Sequence, residues 1–235
     1  MNAVANNQKD STPSLNALFR ELDAERRRTW APEALAINVN QRATLRRDHG
    51  ASPHVQIGDT LEPATLRNAA GESVSLDSLT EKGPAVIVLF RFATCPACNI
   101  ALPYYRDTLW PSLQAAGVAL AAVSPQPFPA LNDIATAHAL PFPVLSDPQL
   151  AFGRALGVTY QFDDASRAAA EAKGGTPHAL NGVDVWELPK PAVLIISPDR
   201  KVLFADVSPD WMERTETSAI LKALGLTPTE ISHAA

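Results

Sequence analysis

The chain has 235 residues, a formal net charge of −5 and 46% hydrophobic residues, the level of an ordinary globular protein. That length holds one large domain with extensions, or at most two small ones. The acidic balance gives no basic surface for nucleic acid or an anionic membrane, and no run of about 18 apolar residues predicts a spanning helix.

Residues 1–12 are polar and read as a disordered tail, without the apolar core of a signal peptide. The expected compartment is therefore cytoplasmic; secretion by a route without such a signal stays open. Residues 13–50 read as an N-terminal helical extension. Leu15, Leu18, Phe19 and Leu22 recur at helical spacing from Ser14 to Trp30, ending in Arg26, Arg27 and Arg28. Ala31-Pro32-Glu33 restarts a second helix that runs to about Arg47. The apolar stripe predicts packing on the main domain or on a second copy, which would give a homodimer. With no cysteine and no acid–base group of its own, the extension is expected to be structural only.

Residues 51–228 read as one redox domain, and 229–235 as a second tail. Short strand pieces flank the turn at Ala70-Gly71-Glu72. A strand at 85–90, a helix at 96–115 and a strand at 118–123 make a βαβ unit. A helix at 130–139, a short strand at Pro143-Val144-Leu145 and a helix from Asp147-Pro148 to Leu156 follow. Residues 162–187 predict an ordered excursion, helix-like at 166–173 and broken at Gly174-Gly175. Val193–Ile196 and Lys201–Val207 predict a hairpin, and a helix at 211–224 closes the domain. The uninterrupted run Val86–Phe90 predicts a central strand buried on both faces.

The two cysteines of the chain, Cys95 and Cys98, stand together as Cys95-Pro96-Ala97-Cys98, between that strand and a helix. A helix N-terminus stabilises a thiolate through its unpaired N–H groups and dipole, and the thiolate is the nucleophile. Two-residue spacing lets the second sulfur close a disulfide on the first. Cys95 is expected to be the more exposed sulfur with the lower pKa, and Cys98 to resolve it. Zinc uses the same spacing but needs two more ligands, for which His49 and His54 are the candidates; the helical context favours redox chemistry, so neither metal nor cofactor is expected. Pro103, five residues after Cys98, fits a C-x-x-C-x4-P pattern. Pro191, directly before the late apolar strand, predicts a cis Lys190–Pro191 bond facing the cysteines. Thr94 flanks the nucleophile, and Trp186 is a candidate wall of the groove or a core residue. Asp206, Asp210 and Glu213 read as a solvated face.

The segments Val88–Arg91, Thr94–Asn99, Ala122–Gln126, Phe142–Pro148, Asn181-Gly182 and Trp186–Pro189 resemble, in order, peroxiredoxin-like proteins of the alkyl hydroperoxide reductase/thiol-specific antioxidant group. The resemblance runs from about Val55 to Leu226 and takes in the N-terminal helices. It implies an α/β thioredoxin-like fold, a central mixed sheet flanked by helices, and redox-active cysteines. The chain departs from the family pattern P-x-x-x-T/S-x-x-C. With Cys98 as the peroxide-reacting residue, Cys95 and Arg91 stand at the hydroxyl and proline positions; with Cys95, Phe92 and Val88 do. Pro191 replaces the family's late-strand arginine, and Arg91 is either a substitute guanidinium or a surface strand-end residue. The leading reading is a thiol-disulfide oxidoreductase in which Cys95 attacks and Cys98 resolves; the alternative is a thiol peroxidase with antioxidant activity, and the third a redox-responsive binding protein. The implied partners are a protein or small-molecule disulfide, or a peroxide, with a thiol donor such as thioredoxin or glutathione.

Overall fold

The computed structural model describes residues 13–228; both tails read from the sequence lie outside them. In chain order the elements are α1 (Leu15–Thr29), α2 (Pro32–Arg47), β1 (Thr65–Arg67), β2 (Ser73–Ser75), α3 (Leu76–Leu79), β3 (Ala85–Leu89), α4 (Pro96–Thr108), α5 (Trp110–Ala115), β4 (Ala119–Ser124) and α6 (Ala130–Ala137). Then come β5 (Val144–Ser146), α7 (Ala151–Ala155), β6 (Thr159–Gln161), α8 (Asp164–Glu171), α9 (Pro177–Asn181), β7 (Glu187–Pro189), β8 (Ala192–Ile196), β9 (Val202–Val207) and α10 (Thr217–Ala223).

Seven strands form one mixed sheet in the order β2-β1-β5-β4-β3-β8-β9. β3 is central, parallel to β4 and antiparallel to β8, and all five of its residues are buried. Side chains alternate across a strand. Val86, Val88 and Phe90 therefore enter the core that contains both cysteines, Leu102 of α4 and Ile220 of α10. Ala85, Ile87 and Leu89 enter a second core with Leu76 of α3 and Phe152 of α7. Each large apolar side chain so buried stabilises the fold by roughly 1.5–3 kcal/mol.

Two expectations change at element boundaries. The helix over 96–115 is two helices joined at Leu109, because Pro111 has no N–H to continue the first. The closing helix begins at Thr217, not 211. The backbone of 211–216 is diverted: Met212 N–H donates to the Asp210 carboxylate (2.9 Å), and Arg214 N–H donates to the Asn16 side chain (3.0 Å). The excursion at 162–187 is ordered as expected, and β7 at its end pairs with β6 in a separate two-stranded ribbon.

The N-terminal stripe is satisfied within its own domain. Leu15 and Phe19 are fully enclosed in the core that holds the cysteines, and Leu22 packs against it. Ser14 caps α1 by accepting from Ala17 N–H, and the distant Glu216 carboxylate accepts from Leu15 and Asn16 N–H at 3.0 and 2.9 Å. α2 is tied in by charge, with Arg42 and Arg46 both on Asp210. Asp210 is thus a fully buried anion, correcting its assignment to a solvated face.

Candidate active site

The cysteine pair sits where the sequence places it, at the strand-to-helix turn. Cys95 is the N-cap of α4 and Pro96 its first residue. Backbone N–H groups of Cys98 and Asn99 both donate to the Cys95 carbonyl at 3.0 Å. The Asn99 amide braces the turn by donating to the carbonyls of Ala93 (2.6 Å) and Cys95 (2.9 Å). Gln126 accepts from Ala93 N–H at 2.7 Å, anchoring the turn to the end of β4. Both cysteines are free thiols.

Cys95 is the more exposed sulfur in name only, because both are buried. Its exposure is 1% and that of Cys98 is 0%. The reason is the cover supplied by α1 and by the loop between β9 and α10, which bring Phe19, Trp211 and Met212 into the same core as both cysteines. The expected order of pKa values is present. A hydrogen bond from Cys98 holds the Cys95 thiol well below its ordinary value; burial opposes this, and the charges of Arg91 and Arg214 reinforce it. Burial pushes the Cys98 thiol well up, and its partner Cys95 pushes it further.

Arg91 is not a surface residue. It is buried, its guanidinium lies 4.1 Å from the Trp211 ring centroid and 5.1 Å from that of Phe92, and its Nε has no hydrogen-bond partner. Tyr160 closes the same corner, stacked on Trp211 with centroids 6.2 Å apart. Arg91 stands 5.9 Å from the Tyr160 ring without meeting its hydroxyl at hydrogen-bonding geometry. Burial pushes the Tyr160 phenol up to about 12. The neighbouring Arg91 guanidinium opposes that rise.

Arg214 brings a second cation, with Nη2 3.7 Å from Cys98 Sγ. Arg26, on α1, brings a third; it donates to Met212 Sδ at 3.3 Å and its charge acts on Cys95. The extension thus supplies part of the cover over the cysteines and a cation whose charge reaches Cys95. Nothing in residue spacing flagged Arg26, Tyr160, Trp211 or Arg214. Their approach depends on tertiary packing; the basic cluster ending α1 was the one visible sign.

The remaining candidates divide. Pro191 is buried and, with Cys98, Tyr105 and Arg214, lines a cavity of about 10 Å³, hardly room for one water. The Lys190–Pro191 bond is trans, and the cis bond among the described residues is Phe128–Pro129. The chain runs extended from β7 into β8, with Lys190 N–H donating to the Val158 carbonyl (2.7 Å) and the Pro191 carbonyl accepting from Ser208 N–H (2.8 Å). Thr94 and Pro96 are exposed. Trp186 is half-buried behind Phe162, 5.4 Å between centroids, and donates to Glu171 at 3.1 Å. It buttresses the aromatic row and is not a wall of the cysteine site. His49 and His54 stack on each other at 4.5 Å. Among the described residues no group of three metal-binding side chains is gathered, and no helix is long and apolar enough to cross a membrane.

The profile of the AhpC/TSA family matches residues 57–205, more than half of the chain, with both cysteines inside it. The chain belongs to the AhpC/TSA family. The match begins after α1 and α2, so the N-terminal helices that the resemblance took in lie outside it. Peroxiredoxin bcp1 of Schizosaccharomyces pombe is 26% identical over 121 residues, covering 52% of this chain. The chain spans 60% of that relative's length. Peroxidoxin BcpB from Mycobacterium tuberculosis superposes with a TM-score of 0.56 at 24% identity, covering 73% of this chain and 96% of that one. Reduced Prx3 from Vibrio vulnificus, solved in complex with H2O2, superposes with a TM-score of 0.58 at 24% identity, covering 72% and 99%. These structures share the thioredoxin-type fold of this AhpC/TSA protein.

Proposed function

We propose that this protein is a thiol-dependent peroxidase in which Cys95 attacks the peroxide and Cys98 resolves it. The observation that carries the reading is a thiolate-prone sulfur that is 1% exposed and surrounded by cationic side chains. A small peroxide has a far shorter way to such a sulfur than the disulfide of a folded protein. The family membership and the bcp1 relative point the same way.

In the first step the Cys95 thiolate bonds to the terminal peroxide oxygen, the O–O bond breaks, and the departing alkoxide or hydroxide takes up a proton. In the second, the Cys98 thiol condenses with the Cys95 sulfenic acid, forming the disulfide and releasing water. Two thiols of a donor return the pair to its reduced form and are themselves oxidised. The depth of the pair favours a small donor of the glutathione class over thioredoxin. A reducing compartment such as the cytosol suits this cycle.

Stopped-flow mixing of reduced protein with hydrogen peroxide tests the proposal. Wild type should react orders of magnitude faster than free cysteine. Cys95→Ser should not react, and Cys98→Ser should react once and hold a sulfenic acid that dimedone traps. A peroxide rate no better than that of free cysteine, together with rapid reduction of insulin disulfides, would assign the pair to disulfide exchange.

A further inference from the structure

Arg214 lies outside the family-matched residues, in the loop between β9 and α10. It is buried; its Nη2 contacts Cys98 Sγ at 3.7 Å, and its Nη1 is buried without a partner. Its guanidinium lies 5.8 Å from the Phe19 ring centroid. Its backbone is held from α1: the Asn16 amide donates to the Arg214 carbonyl at 2.8 Å, and the Asn16 side-chain oxygen accepts from Arg214 N–H at 3.0 Å. Asn16 is itself fixed, donating to Glu216 through its side chain (2.8 Å) and its backbone (2.9 Å).

We propose that Arg214 serves the resolving step, stabilising the Cys98 thiolate as that sulfur attacks oxidised Cys95, and that Asn16 of α1 positions it. The assignment rests on the peroxidase reading for the identity of the oxidant. In the reduced pair Cys98 carries a proton and donates to the Cys95 thiolate. Once Cys95 is a sulfenic acid that negative charge is gone, and Cys98 must give up its proton inside a dry core. Its sulfur then bonds to Cys95 Sγ, the S–O bond breaks, and the hydroxyl leaves as water with the proton from Cys98. A guanidinium in contact with the attacking sulfur lowers the cost of that ionisation. The groups whose charge or titration bears on the pair are Arg91 after β3, Tyr160 of β6, Arg26 of α1 and Arg214; Tyr105 of α4 lines the small cavity beside Cys98, and Asp206 of β9 bears on Tyr105. Among them Arg214 makes the side-chain hydrogen bond to Cys98.

The test separates the two steps in a single turnover. Reduced protein is mixed with hydrogen peroxide, quenched at intervals and weighed, so that gain of one oxygen reports the first step and loss of two hydrogens the second. In Arg214→Gln the sulfenic acid should accumulate. Disulfide closure should slow about tenfold and its pH profile move about one unit alkaline, with a smaller change in the first step. Arg214→Lys should recover most of the rate, and Asn16→Ala should shift the profile in the same direction by less. A second arm uses 2,2′-dipyridyl disulfide: Cys95 releases one pyridinethione and Cys98 the other, so the second release reads the resolving sulfur without any peroxide.

A wild-type second phase in Arg214→Gln, in rate and pH profile, would overturn the assignment. So would equal slowing of both phases with an unmoved profile, the signature of a residue that is merely structural. If Arg214→Gln does not fold, Asn16→Ala decides, and a wild-type second phase and pH profile in that variant overturn the proposal. If the wild type forms no sulfenic acid yet releases both pyridinethiones, the peroxidase reading is lost, and the second release alone judges Arg214.

Discussion

Replacing Arg91 with methionine should slow peroxide attack by roughly 100-fold, the scale on which one preorganised charge-stabilising donor acts. Arg91 is fixed by stacking on Trp211 and Phe92, and its Nε has no partner to give up before meeting a substrate oxygen. Its charge also bears on Cys95. The pH dependence follows with its sign. In the wild type Cys98's hydrogen bond, then the charges of Arg91 and Arg214, hold the Cys95 pKa well below an ordinary thiol's. The peroxide rate should therefore be flat through the ordinary thiol range near 8.5 and fall only at lower pH, as Cys95 takes up its proton. In Arg91→Met that fall should begin at higher pH. Stability of the reduced protein moves in step. A depressed folded pKa contributes stability that is present above the unfolded value and lost as pH falls through the folded one. The raised pKa of Cys98 acts oppositely, its contribution being lost as pH rises through it. Arg91→Met should narrow the first window, measured by urea unfolding of reduced protein over a pH series. Arg91→Lys returns the charge without the planar stack and should recover only part of the rate. An unchanged pH profile in Arg91→Met would remove Arg91 from the site.

The parts of the site legible in the sequence are those written in local pattern. An apolar run, a cysteine pair and a helix-compatible stretch place the thiols at a helix start without any tertiary information. The uninterrupted apolar run Val86–Phe90 likewise foretells a strand buried on both faces, and its two faces enter two cores. What was not legible is everything that long-range packing brings to the pair. Arg214 is 116 residues from Cys98 in the chain, and no period or motif links the two. Asp210 read as solvated because a carboxylate near Pro209 and Glu213 has the composition of a surface loop; Arg42 and Arg46, far upstream, make its burial tolerable. The Lys190–Pro191 bond was misread by analogy. A proline before a buried strand serves as well in trans where the chain simply runs on extended from β7 into β8. The extension was underrated because it carries no nucleophile, although a closed thiol site also depends on cover and charge.

The heaviest loss of stability should come from Asp210→Asn. The Asp210 side chain is 0% exposed and accepts from Arg42 Nε at 2.6 Å, Arg42 Nη2 at 3.0 Å, Arg46 Nη1 and Met212 N–H at 2.9 Å. Arg42 also reaches Asp23 of α1 at 2.8 Å. One carboxylate therefore joins α2, α1 and the loop that carries Trp211, Met212 and Arg214. Asparagine keeps the shape but removes the charge, leaving the largely buried Arg42 without its main counterion. Breaking a buried pair from one side costs about 3–5 kcal/mol. In a chain of this size that corresponds to a fall in Tm of roughly 10 °C, at about 2–4 °C per kcal/mol. The exposed pair Arg28–Glu25, with side chains 72% and 52% accessible, is the contrast, and Glu25→Gln should change stability by no more than about 0.5 kcal/mol. Differential scanning calorimetry of both variants measures the difference. Because the loop that Asp210 holds also bears Arg214, folded Asp210→Asn at low temperature should close the Cys95–Cys98 disulfide more slowly than wild type. Equal thermal stability of the two variants would show that Arg42 finds other partners and that the loop is held by its apolar side chains alone.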